Sequence, residues 1–319
     1  MTARRAPWDK GAASQPPNEG WPPATTRPLR GQVALVAGAT RGAGRAIAVS
    51  LGLAGATVYA TGRSVRGHLA TKSRPETVTE TAAMIRAYGG TAHALRVDHT
   101  VEREVRRLID RLRREQRGRL DILVNDIWGG DELTEWAKPP WTMDYQLGRT
   151  MLERAVFSHL VTSRYAVPLM VERKRGLLIE VTDGDTLDYR GSIYYDLVKT
   201  SAIRIARIYH EEFEEAHLPG LSAVAVTPGF LRSESMLEQF GVTEETWREG
   251  TVAHRHFYAS ETPYLLGRAV VALAADPKVH RKSGKVYGSW TLAKEYRFND
   301  RDGSRPDWGQ VVAEEDRGG

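Results

Sequence analysis

The stretch 33–48 constrains the fold of this chain more than any other part of it. It opens with the apolar, β-branched run VALVA, which is typical of a buried strand. Glycines follow at positions 38, 42 and 44, and an alanine-rich segment with helical spacing comes next. A strand, a glycine-rich turn and a helix in this order form a phosphate cradle, because the helix N-terminus offers unpaired N–H groups and glycine lets an anion approach the backbone. Glycine-rich turns without a ligand are also common, so the interpretation depends on the rest of the chain.

The alternation of strands and helices continues from this unit to about residue 288. Near-continuous apolar strands separated by helices predict a parallel sheet covered on both faces, a doubly wound Rossmann-type α/β fold of about seven strands in a single domain. Strands are predicted at 33–37, 57–61, 91–97, 121–125, 176–182, 221–227 and 284–288, and helices near 43–54, 76–88, 101–117, 145–173, 192–216 and 263–275. Ligands of such folds bind at the carboxyl ends of the strands.

Three parts of the chain are expected. Residues 1–30 are proline-rich and without periodicity, which predicts a flexible arm. Residues 31–290 form the dinucleotide-binding and catalytic domain, with a long aromatic loop at 230–262 that either closes over substrate or makes an oligomer contact. Residues 291–319 are an extension that either docks on a neighbouring subunit or forms a wall of the pocket.

The charge of the chain is basic, with a formal net charge of +5 and a pI near 9.4. Nucleic-acid binding is one interpretation of such a charge. The densest arginine run, 103–119, nevertheless has apolar residues at helical spacing and interleaved acids, which is typical of a solvated helix face. We therefore expect no nucleic-acid partner.

Features that the sequence lacks limit the compartment and the metal sites that we expect for this protein. No apolar run has the length of a membrane span, and the N-terminus lacks the apolar core of a signal peptide. The chain contains no cysteine, which excludes disulfides and thiolate metal sites. We expect a cytoplasmic protein with no membrane partner and no metal.

Two arginines lie where the adenosine end of a dinucleotide would bind. NAD-preferring sites usually place an acid after the second strand to hold the ribose 2′-hydroxyl, and this chain has Arg63 there instead. Arg41 lies inside the glycine turn. Because two guanidinium groups suit a 2′-phosphate, the sequence predicts NADP(H) in preference to NAD(H). The alternative is that both are ordinary surface arginines.

A candidate reacting centre follows the fifth predicted strand. Tyr195 and Lys199 are four residues apart on a predicted helix, so their side chains share a face, whereas Tyr194 lies off it. An ammonium beside a tyrosine stabilises the phenolate and is expected to lower the pKa of Tyr195 from its usual value near 10. The pair therefore predicts a proton donor or acceptor.

These motifs together resemble the short-chain dehydrogenase/reductase family over about residues 31–288. The likeness rests on four features of the sequence. They are the spacing G-x-x-x-G-x-G at 38–44, with Ala37 at the family's threonine, the strand DILVN at 121–125, Y-x-x-x-K at 195–199 and Pro-Gly at 228–229. The resemblance implies hydride transfer between a nicotinamide and a carbonyl or alcohol, with a small-molecule substrate and a homodimer or homotetramer. It implies catalytic roles for Tyr195, Lys199 and one of Thr182 and Asp183. It implies a cofactor site formed by Gly38, Thr40, Arg41, Gly42, Ala43, Gly44, Arg63, Asp98, Asn125, Tyr195, Lys199, Pro228, Gly229, Phe230 and Ser233.

Several of these residues have a possible role other than the one that the resemblance implies. Asp98 resembles the family acid beside the adenine, and it could instead cap the next helix. Asn125 could stabilise the sheet as well as face the cofactor. Thr182 and Asp183 stand where the family often has two serines, and either could face the pocket: the threonine hydroxyl could donate to the substrate oxygen, while a carboxylate would repel an oxyanion.

Further departures favour a second hypothesis. Asp126, Ile127 and Trp128 replace the family's Asn-Ala-Gly, and Ala155 stands at the family's helix asparagine. A cofactor-binding sensor or scaffold with reduced catalysis is the alternative function.

Acids after the fourth and fifth strands allow two interpretations. Either they are solvated and cap helices, or several face the pocket and favour a cationic substrate. They are Asp126, Asp131, Glu132, Asp183 and Asp185.

Overall fold

The first strand lies inside a seven-stranded parallel sheet of order β3-β2-β1-β4-β5-β6-β7. This arrangement comes from a computed structural model that describes residues 27–71 and 74–318. Most of the predicted N-terminal arm therefore lies outside the described residues. The strands are β1 Val33–Ala37, β2 Thr57–Gly62, β3 Thr91–Arg96, β4 Ile122–Asn125, β5 Gly176–Val181, β6 Leu221–Thr227 and β7 Val286–Gly288. The doubly wound fold expected from the sequence is confirmed.

Helices cover both faces of the sheet, and alternate residues of each strand pack against them. In β1, Ala34 and Val36 belong to the core beneath the helices that begin at Gly42 and Pro263, whereas Val33 and Leu35 belong to the core beneath those that begin at Glu102 and Ser158. The helices are α1 Gly42–Leu53, α2 Val78–Ala87, α3 Glu102–Gln116, α4 Tyr145–Leu152, α5 Ser158–Arg173, α6 Ile193–Glu215, α7 Glu234–Gln239, α8 Pro263–Ala275, α9 Ser289–Tyr296 and α10 Trp308–Gly318. No helix within these described ranges combines the length and apolarity needed to cross a bilayer.

Two predicted elements differ from the structure. The single helix expected at 145–173 is divided by a π-helical turn at Glu153–Phe157, and Ala155, which stands at the family's asparagine position, lies buried in that turn. The segment 230–262 is largely helical instead of an open loop, since it contains α7 and two 3-10 helices, Trp247–Val252 and Arg255–Ala259. Buried aromatic rings, among them Trp247 and Phe257, give this segment a small core of its own.

A buried polar network connects the middle of the sheet to α5. Asn125 Nδ2 donates to Ser163 Oγ at 2.9 Å and to Glu180 Oε1 at 2.7 Å. Glu180 Oε2 lies 2.6 Å from His159 Nδ1, and His159 Nε2 lies 3.0 Å from the carbonyl oxygen of Ile127. Because both ring nitrogens face oxygen acceptors and Glu180 is charged, the pKa of His159 is raised despite its burial. The network holds the chain at the end of β4, where the site begins.

We predict that Asn125→Ala destabilises the fold without weakening cofactor binding. The substitution removes two buried hydrogen bonds and leaves a buried carboxylate with one partner fewer, a loss of about 1–3 kcal/mol. Urea denaturation measures the stability, and a fluorescence titration of the folded variant with NADPH measures the affinity. Unchanged stability together with weaker cofactor binding would instead give Asn125 a role beside the cofactor.

Candidate active site

A cavity of about 1330 Å³ opens at the carboxyl edge of the sheet. Loops after β1, β2, β3, β4, β5 and β6 contribute to its lining, which is where a doubly wound sheet binds its ligand. Fifteen predicted site residues line it: Gly38, Thr40, Arg41, Gly42, Ala43, Arg63, Asp98, Thr182, Asp183, Tyr195, Lys199, Pro228, Gly229, Phe230 and Ser233. The fold thus brings residues from distant parts of the sequence to one place.

Two predicted cofactor residues do not line the cavity. The Asn125 side chain is buried and turned toward Ser163 and Glu180, so the structure supports only the sheet-stabilising half of its expected role. Gly44 lies behind the turn, where a Cβ would come within 2.4 Å of the Gly38 carbonyl oxygen. Its lack of a side chain serves the packing of α1 against the turn and the end of β4.

The glycine-rich turn packs against the end of β4 with no space for side chains. Gly38 has a φ of +96°, and a Cβ there would lie 2.2 Å from the carbonyl oxygen of Asp126. Gly42, with a φ of +54°, begins α1 and lines the cavity. The backbone therefore has the close approach that a pyrophosphate requires.

Two carboxylates lie at the N-terminus of α1. The Gly42 N–H donates to Glu234 Oε2 at 2.9 Å, and Glu234 Oε1 lies 3.7 Å from Arg45. The Gly44 N–H donates to Asp126, whose pKa burial raises to about 7 against the opposing charges of Lys199 and His159. These contacts show that the first turn of α1 attracts negative charge, as its dipole dictates.

Two guanidinium groups line the cavity at the loops that follow β1 and β2. Arg41 and Arg63 both line the cavity, and neither forms an ion pair with any residue in the described part of the chain. Asp98 lies on the same lining, where its Oδ1 accepts from the Thr100 N–H at 3.0 Å and the Thr100 hydroxyl at 2.7 Å. The N-cap of α3 is Val101, so Asp98 is not the helix cap that was the alternative.

The candidate reacting centre consists of two loop residues and one face of α6. The Tyr195 hydroxyl donates to Asp183 Oδ2 at 2.7 Å. The Thr182 hydroxyl instead donates to the main-chain oxygen of Lys199 at 2.6 Å. Of the two candidates for the family's serine position, Asp183 is therefore the one whose side chain contacts Tyr195.

Lys199 does not act on Tyr195 as the sequence suggested. Its ammonium lies 4.3 Å from the centroid of the Trp128 ring and 5.3 Å from that of Tyr195, above the ring faces. The pKa of Tyr195 is raised, first by burial and then by the charge and hydrogen bond of Asp183, so the expected lowering is wrong for this arrangement. Burial lowers the pKa of Lys199.

Aromatic rings enclose this centre, and the sequence motifs pointed to only some of them. Trp128 and Trp136 both contact Tyr195, with ring centroids 5.5 Å and 4.9 Å away. Trp308 of α10 also lines the cavity and lies 5.6 Å from Phe230, so the C-terminal extension contributes a wall. Trp136 belongs to a loop without a motif, and no signal in a single sequence distinguishes it. Glu234 was missed because Ser233, one residue earlier, is the last residue to which the resemblance assigns a role.

The acids after β4 and β5 divide into two groups. Asp126, Asp131 and Asp183 line the cavity, whereas Glu132 and Asp185 do not. Each of the three accepts a hydrogen bond within the chain, from the Gly44 N–H, the Trp128 indole and the Tyr195 hydroxyl respectively. Three of the five acids thus face the cavity, and each of them also bonds to a neighbouring group of the chain.

Comparison with known proteins places these features in a family. The family model described as short chain dehydrogenase matches residues 32–241. The proteins named dehydrogenase/reductase SDR family member 1 in Mus musculus and in Homo sapiens are each 34% identical over 280 residues, which is 86% of this chain and 85% of theirs. A solved structure from Beutenbergia cavernae, described as a putative NAD(P) dependent gluconate 5-dehydrogenase with bound NADP at low occupancy, has a TM-score of 0.64 and 23% identity and covers 84% of this chain and 98% of its own.

The chain belongs to the short-chain dehydrogenase/reductase family. It is an NAD(P)-dependent oxidoreductase that acts on alcohol or carbonyl groups. The glycine-rich turn fits such a cofactor, because Gly38 and Gly42 line the cavity without side chains and the first turn of α1 already binds a carboxylate.

We predict that Glu234→Gln strengthens cofactor binding about fivefold, the equivalent of about 1 kcal/mol. The carboxylate occupies an N–H donor at the phosphate cradle and repels an approaching pyrophosphate, whereas the amide removes that charge. A fluorescence titration with NADPH measures the change. Glu238→Gln on the same helix is the matched control, because Glu238 pairs with Arg74 and does not line the cavity. Weaker binding in Glu234→Gln alone would mean that the carboxylate stabilises the bound state.

Proposed function

We propose that this protein is an NADP(H)-dependent short-chain dehydrogenase/reductase that uses Tyr195 as its acid and base. The observation that carries the proposal is that Tyr195 and Lys199 line one cavity with the glycine-rich turn and with two unpaired arginines. A protein that only bound a nucleotide would have little use for a half-buried tyrosine and lysine in the same cavity. We expect it to work in the cytoplasm on a small molecule, as a homodimer or homotetramer.

The residues that would hold the cofactor follow the length of the cavity. The first turn of α1 and the Gly38 region would bind the pyrophosphate, and Asp98 would lie beside the adenine. Arg41 and Arg63 would bind the 2′-phosphate through charged hydrogen bonds. Pro228, Gly229, Phe230 and Ser233 follow β6 and would border the nicotinamide. The NADP in the similar Beutenbergia cavernae structure is consistent with this assignment.

Chemistry at the reacting centre is divided between cofactor and protein. The bound cofactor supplies or takes up the hydride at the substrate carbon. Tyr195 binds the substrate oxygen and exchanges a proton with it, which requires its hydroxyl to lie within hydrogen-bonding reach. Lys199 would hold the ribose hydroxyls next to the nicotinamide, while the Trp128 and Trp136 rings pack around Tyr195.

Cofactor preference gives the first test. We expect NADPH to bind at least about tenfold more tightly than NADH, because one charge-assisted hydrogen bond contributes about 1.5–3 kcal/mol. Arg63→Ala should remove most of this preference by weakening NADPH binding alone, as measured by fluorescence titration. Arg66→Ala is the matched control, because Arg66 is exposed in the same loop and lies outside the cavity lining. Equal affinities for the two cofactors in the unaltered protein would contradict the assignment.

Substitution of Tyr195 separates an enzyme from a sensor or scaffold. Tyr195→Phe should abolish the consumption of NADPH with a panel of ketones and aldehydes and leave the NADPH affinity nearly unchanged. Tyr194→Phe should retain activity, since that ring packs against Gly148 and does not line the cavity. Absorbance at the nicotinamide band follows the reaction. A protein that binds NADPH but consumes it with no compound of the panel would favour the sensor or scaffold.

A further inference from the structure

Asp183 is the hydrogen-bond partner of the Tyr195 hydroxyl. The Oη–Oδ2 distance is 2.7 Å, and because an ionised carboxylate only accepts, the hydroxyl hydrogen lies on the line to Asp183. Tyr195 Oη makes no other hydrogen bond to a residue in the described part of the chain. A substrate oxygen that reaches Tyr195 therefore meets a hydroxyl whose proton is already directed at a carboxylate.

The neighbouring groups cannot take over this proton. The Thr182 hydroxyl is bonded to the Lys199 main chain, and the Lys199 ammonium lies over the faces of the Trp128 and Tyr195 rings. Arg190 and Asp131 are the other charges that act on Tyr195, and Asp126 acts on Lys199. The Asp183 carboxylate is the one group in this set that both bonds to the Tyr195 oxygen and can be protonated there.

We propose that Asp183 is the proton acceptor behind Tyr195 in alcohol oxidation and the proton donor behind it in carbonyl reduction. The inference rests on the proposed function. In oxidation the substrate O–H bond breaks and its proton bonds to Tyr195 Oη, while the Tyr195 O–H bond breaks and that proton bonds to Asp183 Oδ2. The hydride leaves the substrate carbon for the bound cofactor, so the products are a carbonyl compound, the reduced cofactor and a neutral Asp183. Reduction runs through the same steps in reverse.

This relay resolves a difficulty in the observed geometry. Burial and the adjacent carboxylate raise the pKa of Tyr195, so a free phenolate is not accessible to act as the base. With Asp183 as acceptor, Tyr195 stays neutral before and after the reaction and only passes a proton on. The proton on Asp183 then exchanges with water through the open cavity.

Titration of Tyr195 tests the coupling without any turnover. The protein labelled with ¹³C at the tyrosine ζ carbon is titrated from about pH 6 to about pH 11 by NMR, and Tyr195→Phe assigns the signal. Asp183→Asn and Asp183→Ser should each lower the Tyr195 pKa by at least about one unit, since a carboxylate in contact with the hydroxyl has been removed. Asp185→Asn, an exposed carboxylate outside the cavity lining, is the matched control and should change nothing. A Tyr195 titration that is the same in all four proteins overturns the proposal.

The pH dependence of oxidation tests the direction of proton transfer. With NADP+ and 1-phenylethanol as the probe, kcat of the unaltered protein should fall only on the acid side, as Asp183 becomes protonated. In Asp183→Asn and Asp183→Ser that acid limb should vanish and kcat should rise instead with ionisation of Tyr195 at alkaline pH. At neutral pH the loss should be on the order of 100-fold. An acid limb that survives in Asp183→Asn overturns the proposal.

The NMR titration and the pH profiles together also distinguish this inference from the proposed function. Absence of turnover in every protein, the unaltered one included, would count against the proposed activity toward this class of alcohol, and the NMR titration would still decide whether Asp183 controls Tyr195. Turnover with unchanged pH profiles would support the proposed function and reject the relay.

Discussion

The close approach of the β1–α1 turn to the end of β4 is the constraint on which the site depends. A side chain at Gly38 would meet the backbone of Asp126 at 2.2 Å, and one at Gly44 would meet the Gly38 carbonyl oxygen at 2.4 Å. Because no side chain fits there, the N-terminus of α1 comes directly to the edge of the sheet. Backbone of the glycine-rich turn therefore forms part of the cavity lining.

The charged side chains around this turn and around Tyr195 determine the electrostatics of the site. Carboxylates of Glu234 and Asp126 bond to the first-turn N–H groups of α1, and the charge of Lys199 lies over aromatic rings. At the other end the Asp183 carboxylate bonds to Tyr195. Negative charge thus approaches both the first turn of α1 and the Tyr195 hydroxyl, although the chain as a whole is basic.

Much of this architecture could be predicted from the sequence because it depends on local pattern. The spacing of apolar residues in each strand and helix depends only on residues that are close together in the chain. The helix predicted at 263–275 has these bounds in the structure. The orientation of Thr182 and Asp183 could not be predicted, since it depends on which of the two side chains bonds to the Lys199 main-chain oxygen and which bonds to the Tyr195 hydroxyl. The π-helical turn that divides 145–173 was also not visible, because its apolar spacing resembles that of a continuous helix.

The pKa of Tyr195 shows why motif spacing alone is insufficient. The four-residue interval correctly brings Tyr195 and Lys199 to one cavity, but it says nothing about burial or about a carboxylate from a loop after β5. Those two influences raise the pKa of Tyr195, which is the opposite of the direction that the spacing predicted. Spacing places groups within one element, whereas their ionisation is decided by what other elements bring near.

The position of Trp308 also has a consequence for biosynthesis. This residue packs on Gly229 and Phe230 at the cavity, yet it follows all seven strands in the chain. The glycine-rich turn, the two arginines and Tyr195 all leave the ribosome before it does. Trp308 is thus the last residue of the cavity lining to be synthesised, after every other residue that surrounds the cavity.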